Sequence, residues 1–314
     1  MNPYFTDYSV YLQRLFGNIA GAPVKVQKIS IDAGCSCPNR DGTIGWGGCI
    51  YCDNSAFTPA YCGKKRGDVE AQLAEGRAFF ARKYPRMKYI AYFQSFTFTH
   101  RSSAAEVAAM LRRAATVPDV VGIVIGTRPD CLPDEVLDAI ATFNRPDFPV
   151  MLELGVESMH DATLSRINRG HTAADVESAI VRACARGVRC GVHLIAGLPG
   201  ETSDDALDTL RRVCNLPVDC VKLHQLQVIK GTPLHRGWSV GEIDLQLFTL
   251  DDYLDFCVQA VSVVRAAPRD IAIERFVAQA PGEMVVAPRW GLKNYQFNQL
   301  LLRRLREDKP SSVK

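Results

Sequence analysis

Residues 35–54 hold four cysteines and four glycines in twenty positions, Cys35-Ser-Cys37-Pro-Asn-Arg-Asp-Gly-Thr-Ile-Gly-Trp-Gly-Gly-Cys49-Ile-Tyr51-Cys52-Asp-Asn. Cys49 and Cys52 form a C-x2-C pair, and eleven residues separate Cys37 from Cys49. A tight C-x2-C turn brings two thiolates within reach of one metal centre. A glycine-rich loop lets a third fold back without steric conflict. Three readings follow from the spacing: a loop of free thiols, a structural zinc site with Cys35 as fourth ligand, or an iron–sulfur cluster on Cys37, Cys49 and Cys52 with one iron left open. On spacing alone the second and third are close.

Further polar residues punctuate the chain at regular intervals: Gln94 and Ser95, then Gly126-Thr-Arg-Pro-Asp130, then Glu153-Leu-Gly-Val-Glu157-Ser158. Arg166-Ile-Asn-Arg169-Gly-His171, His193-Leu-Ile-Ala-Gly197-Leu-Pro-Gly-Glu201 and Lys222-Leu-His224 continue the series. Taken singly, each has a structural explanation. Glu153 reads as an internal ion pair, Arg166 and Arg169 as a solvated face, His193 as a satisfied core histidine, and Gly-Leu-Pro-Gly as a turn.

Their position relative to the predicted elements changes that reading. Apolar, β-branched runs at 26–31, 88–96, 120–126, 150–156, 188–196 and 220–229 read as strands. Helical patterns alternate with them, and Ser103/Glu106, Thr172/Asp175, Thr202/Asp205 and Thr249/Asp252 mark helix starts. Six strand–helix units in series predict an α/β fold with a parallel sheet, curled by right-handed crossovers into a partial (β/α)6 TIM-like barrel. The polar residues then fall at the C-terminal strand ends, where such barrels gather their chemistry. The cysteine loop shares that rim. We expect residues 1–266 to form the barrel with an N-terminal helix at 8–16. Residues 267–314 are expected to be a C-terminal appendage closing it, with a disordered tail from Lys309.

The 314 residues are 47% hydrophobic and 23% charged, with a formal net charge of +3. This is an ordinary balance for a globular enzyme; it permits an anionic partner without arguing for one. No apolar run approaches the length of a membrane span, and Asp7 and Arg14 interrupt the N-terminal segment where a secretory signal would be apolar. A cytoplasmic, reducing location is expected, in which the eleven cysteines fill the core or bind metal.

In combination these motifs resemble the radical S-adenosylmethionine (radical SAM) superfamily, specifically its YhcC/YtqA-type group, relatives of the catalytic subunit of Elongator. The resemblance spans about residues 20–265. It implies a 4Fe–4S cluster on Cys37, Cys49 and Cys52, with S-adenosyl-L-methionine on the fourth iron. One-electron reduction would cleave the sulfonium to give a 5′-deoxyadenosyl radical for C–H activation. Carried over residue by residue, it places Tyr51 against the adenine and Gln94 and Ser95 near the methionine amino group. Glu157 and His193 fall at ribose contacts, Arg169 at the methionine carboxylate, and Gly197 where backbone approaches the adenine. Cys35 has no counterpart in the three-cysteine pattern. No residue is singled out as catalytic.

The same resemblance implies a flavodoxin- or ferredoxin-like one-electron reductant and a tRNA substrate modified at the wobble uridine. Neither a membrane nor an obligate protein partner is implied. Basic clusters at Lys64-Lys65-Arg66, at residues 82–88 and at Arg303-Arg304-Leu305-Arg306 are compatible with phosphate contacts. A radical enzyme acting on a small molecule, and a zinc-stabilised nucleic-acid-binding module, are the competing functions. Cys62 and Cys131 are open candidates for hydrogen donors to a substrate radical.

Overall fold

The computed structural model describes residues 2–16, 25–63, 65–82 and 87–307. Lys64, Lys83, Tyr84, Pro85 and Arg86 of the basic clusters, and the tail from Lys309, lie outside the described residues. In chain order the elements begin with β1 (Thr6–Asp7), α1 (Tyr8–Phe16), β2 (Lys25–Ile31), α2 (Ala60–Gly63), α3 (Val69–Ala81), β3 (Met87–Phe93) and α4 (Ala104–Ala115). Next come β4 (Val120–Thr127), α5 (Asp134–Ala141), β5 (Val150–Glu157), α6 (Asp161–Arg166), α7 (Ala173–Ala185), β6 (Arg189–Ala196) and α8 (Ser203–Cys214). The last are β7 (Cys220–Gln225), β8 (Val228–Ile229), α9 (Pro233–Ser239), α10 (Leu250–Arg265), β9 (Ala272–Arg275), β10 (Val285–Ala287) and α11 (Asn294–Glu307).

One eight-stranded parallel sheet runs β1-β9-β7-β6-β5-β4-β3-β2. Capping boxes at Ser103, Thr172 and Thr202 start α4, α7 and α8, and Thr249 caps α10, so four of the sequence-marked helix starts satisfy their first backbone N–H groups as expected. The outer face of the sheet carries Ile29, Ile31, Ile123, Ile125, Leu152, Leu154, Val192 and Leu194, all buried in one large core with the surrounding helices. Period-two alternation turns the neighbouring residues inward. There Ile90, Tyr92, Val124, Met151, Cys220 and Ala272 pack against Tyr8, Leu12 and Phe16 of α1.

Two departures from the sequence expectation matter for the site. The run 220–229 is two strands: β7 ends at Gln225, and β8 pairs antiparallel with β10 in a separate ribbon. The sheet also extends beyond the six predicted units, because β9 docks beside β7 and carries β1 on its other edge. The apolar run 271–273 reads from sequence as a short strand, and Ala272-Ile-Glu-Arg275 forms one; its place inside the main sheet, on the open edge of β7, is what tertiary pairing adds.

The half-barrel is stitched across its open side by charge. Lys28 of β2, at one sheet end, pairs with Glu153 of β5 and lies 2.9 Å from Glu274 of β9, near the other end. Lys222 of β7 approaches the same carboxylates at 3.4 and 3.6 Å, and the Tyr92 hydroxyl donates to Glu153 at 2.6 Å. Two cations and two anions thus neutralise one another in the interior. The interior ion pair expected of Glu153 is present, with two partners rather than one.

Candidate functional site

The cysteine loop is built from backbone turns. Arg40 and Asp41 donate their N–H groups to the Cys37 carbonyl at 2.8 and 3.2 Å, and Cys52 N–H closes onto the Cys49 carbonyl at 3.0 Å. Gly47 and Gly48 both adopt φ of +81°, a conformation that a side chain disfavours, and a Cβ on Gly48 would also meet the Arg40 guanidinium at 2.9 Å. The Arg166–Gly170 stretch is the clamp that fixes this loop. Asn39 Nδ2 donates to the carbonyls of Asn168 and Arg169 at 2.5 and 2.8 Å, Asn168 Nδ2 returns to the Gly48 carbonyl at 2.8 Å, and Ile50 N–H meets the Ile167 carbonyl at 3.1 Å.

Cys37, Cys49 and Cys52 line one cavity at the C-terminal mouth of the sheet, together with Tyr51, Gln94, Glu157, Arg169 and His193. Ser95 and Gly197 are not among its lining residues. The Ser95 hydroxyl lies 3.3 Å from that of Thr58. Gly197 has φ of +85°, and a Cβ there would stand 3.2 Å from the Phe248 ring. Cys35, which the four-cysteine zinc reading needs as fourth ligand, is not among the lining residues; its Sγ donates to the Phe98 carbonyl at 3.3 Å. Cys62 donates to the Ser30 carbonyl, and Cys131 lies beside Asp130; neither lines the cavity.

Glu157 reaches the cavity through irregular backbone. The β5–β6 register slips between Gly155 and Glu157, and Glu157 adopts φ of +68°, the bulge-and-twist by which a strand end re-aims a side chain. Burial alone would raise its pKa; His193, at 3.2 Å through Nδ1, and Arg169, at 3.5 Å, outweigh it and hold the carboxyl down at about 2. Arg169 is engaged on every side: Nη1 faces Cys49 Sγ at 3.5 Å, Nη2 donates to the Gly155 carbonyl at 2.5 Å, and Nε donates to His171 Nε2 at 3.1 Å. That last bond requires a bare Nε2. Burial first, then Arg169 and Arg128, keep His171 neutral, with a pKa down to about 4.

Cys37, Cys49 and Cys52 share the cavity wall, although among the described residues no group of three or more Cys, His, Asp or Glu is drawn together as a metal site. Burial pushes the Cys52 thiol up to about 11, and Cys49 and Cys37 push in the same direction by mutual repulsion of their thiolates. Of the three, Cys49 is buried and Cys37 and Cys52 are half-buried, and a positive centre is what would make such thiolates favourable together. Arg40 offsets part of that cost, its Nη2 bonding the Cys52 carbonyl at 2.7 Å. The wall also carries buried polar atoms without hydrogen-bond partners, Arg128 Nη1, His193 Nε2, Gln227 Oε1 and Arg275 Nε. Such atoms are costly unless a ligand completes them.

Gln227 and Arg275 were not singled out from sequence. Arg275 follows the strand-like run at 271–273, whose place beside β7 only tertiary pairing fixes, and Gln227 lies in the break between β7 and β8. The basic clusters, in turn, are largely self-satisfied. Lys65 pairs with Glu75 at 2.7 Å, Lys88 with Asp119 at 2.7 Å, and Arg304 with Asp251 and Asp255 at 2.9 and 3.1 Å. On the cysteine loop, however, Trp46 is 75% exposed.

Among known proteins, the family model for the Radical SAM superfamily matches residues 39–213, and that for the Radical_SAM C-terminal domain matches residues 218–307. Protein YhcC of Escherichia coli K12 is 38% identical over 267 residues, covering 85% of this chain and 82% of that protein. A tRNA uridine(34) acetyltransferase of Dehalococcoides mccartyi is 30% identical over 143 residues, 43% of this chain and only 30% of that longer protein. In structure, Methanocaldococcus infernus Elp3 superposes with a TM-score of 0.67 at 17% identity, covering 90% of this chain and 63% of that one. At that identity the likeness is one of fold.

Proposed function

The chain belongs to the radical SAM superfamily, and from that premise we propose that it binds a 4Fe–4S cluster through Cys37, Cys49 and Cys52 and cleaves S-adenosyl-L-methionine reductively. The supporting observation is that these three cysteines, and not Cys35, line the cavity into which the strand-end residues converge. When bound, the cluster and S-adenosyl-L-methionine together supply the one-electron chemistry that yields a 5′-deoxyadenosyl radical. A one-electron reductant of flavodoxin or ferredoxin type is required.

The protein's own residues bind and orient. Tyr51, packed against the apolar cluster of Leu164, Ile167, Ile195 and Leu198, offers a fixed aromatic wall for the adenine. Glu157, held ionised, accepts from ribose hydroxyls, and the free Nε2 of His193 accepts beside it. Arg169 braces Cys49 and Glu157 and keeps positive charge near the thiolates and the methionine carboxylate. Gln94 accepts from the Ser30 hydroxyl at 2.6 Å and donates one amide N–H to the Phe57 carbonyl at 3.4 Å, so it contributes its second N–H as a donor. Ser95 and Gly197 shape the backbone around the cavity.

For the substrate we favour RNA, a tRNA wobble uridine, over a small molecule. The exposed Trp46 indole on the cysteine loop supports this reading, because an unstacked base gains about 1–3 kcal/mol on such an aromatic platform. Anaerobic reconstitution followed by dithionite and S-adenosyl-L-methionine tests the chemistry: a brown protein releasing 5′-deoxyadenosine is expected, and a colourless protein without cleavage refutes it. Filter binding of bulk tRNA tests the substrate. Retention that falls with rising salt and weakens in Trp46→Ala is expected, and no retention at low salt refutes it.

A further inference from the structure

Residues of β7, the β7–β8 turn and β9 (Lys222, His224, Gln227 and Arg275) also line the cavity. Its cations are treated unequally. Lys222 is balanced by Glu153 and Glu274, Arg128 by Asp130 at 2.8 Å, and Arg169 by Glu157. Arg275 also lines the cavity, and among the described residues it makes no ion pair and no hydrogen bond; its Nε is buried and unpartnered.

The structure goes out of its way to put the guanidinium there. Regular pairing would set Ile273 and Arg275 on the same, outward face, where Ile273 is buried in the main core. Instead the β7–β9 register slips by one, so that Val221 faces Ile273 while the next residue, Lys222, faces Arg275. A one-residue slip transfers a side chain to the opposite face. The isolated cation is thereby turned inward, beside a neutral quartet that has no anion to spare. A half-buried guanidinium without a counter-charge is unfavourable unless a ligand's anion completes it.

The groups around it complement the rest of such a ligand. His224 Nδ1 lies 2.8 Å from the Gln225 carbonyl, which can only accept, so Nδ1 carries the proton. Burial, then His193 and Arg275, keep the ring neutral, leaving Nε2 as an acceptor. The His193 ring stands 4.5 Å away with its own Nε2 unpartnered, and Gln227 Oε1 is a further buried acceptor without a donor.

We infer that Arg275, with Gln227 and His224, forms a subsite for the substrate's anionic group, a carboxylate or phosphate that has hydroxyl or N–H donors beside it. This deepens the proposed radical reading by naming a chemical feature of the substrate, and rests on that reading for the reaction that follows binding.

The test uses reconstituted full-length protein and three probes at matched ionic strength in chloride: inorganic phosphate, acetate and S-adenosyl-L-methionine. Line broadening of the 31P and 13C resonances should appear with wild type, persist in part in Arg275→Lys and vanish in Arg275→Gln. In parallel, phenylglyoxal adducts at Arg275, counted by peptide mass spectrometry, should form several-fold more slowly with phosphate or acetate than with chloride alone. Stronger protection by phosphate identifies a phosphate ester, and stronger protection by acetate a carboxylic acid. Equal broadening in wild type and Arg275→Gln overturns the subsite, as does protection by S-adenosyl-L-methionine alone, which would give Arg275 to the cofactor. Release of 5′-deoxyadenosine from the same preparation separates the two proposals: cleavage without anion binding sinks the subsite only, and anion binding without cleavage sinks the radical reading only.

Discussion

Replacing Glu153 by Gln removes one anion from an interior quartet that is otherwise neutral. Lys28 and Lys222 would share Glu274 alone, leaving one uncompensated positive charge beside the Tyr92 hydroxyl, whose carboxylate acceptor becomes an amide. Removing one partner of a buried ion pair costs about 3–5 kcal/mol. For 314 residues the unfolding entropy is about 0.7 kcal/mol per kelvin, so Tm should fall by about 4–7 °C. Thermal unfolding followed by circular dichroism at pH 7 measures it, with Asp270→Asn as the control. The Arg14–Asp270 pair is 57% and 61% exposed, and its loss should cost at most about 1 kcal/mol. The double substitution Glu153→Gln with Lys222→Met restores neutrality and should recover most of the loss. Acid provides a second readout. Burial disfavours the Glu153 carboxylate, but Lys222 and Lys28 outweigh it and hold its pKa below the usual carboxylate range. Its contribution is therefore present above the unfolded pKa of about 4.3, and is lost as pH falls through the lower folded value. The Gln variant should show a correspondingly flatter acid limb. A Tm for Glu153→Gln within a degree or two of the control would refute the argument.

Three shorter predictions follow from other residues. Cys35→Ala should retain the iron content of wild type after reconstitution, whereas Cys49→Ala should lose most of it; equal loss in both would restore Cys35 as a ligand. His171 is held neutral with a pKa near 4, below the unfolded value of about 6.5. The unfolded chain therefore takes up the proton first, and stability should fall between about pH 6.5 and 4 at about 1.4 kcal/mol per pH unit from this group. Urea unfolding of His171→Gln across that range should show the slope reduced by this amount. Gly76→Ala would place a Cβ 2.3 Å from Ile29 Cγ2 in the core beneath α3. It should lower stability by about 1–3 kcal/mol, less the ~1 kcal/mol that alanine gains in a helix, measurable by the same unfolding assay.

Short-range signals are enough to read the repeating strand–helix frame, because each element advertises itself locally. Apolar runs of strand length, capping boxes at Ser103, Thr172 and Thr202, and a glycine-rich cysteine loop are short-range signals, and each appears where expected. From that frame it follows that the strand-end motifs share one rim. Tertiary structure alone decided how the rim is used. Asn39 and Asn168, more than a hundred residues apart, lock the cysteine loop to the β5–α7 connection, giving the Arg166–Gly170 stretch a clamping role that no local pattern announces. The break after Gln225, the capture of β9 between β7 and β1, and the register slips at Glu157 and Arg275 depend on which edge a strand meets. That pairing sets which face each side chain takes. The same holds for Lys28 and Glu274, ordinary charges in sequence, which become an interior staple only when the curl of the sheet brings the two side chains within 2.9 Å.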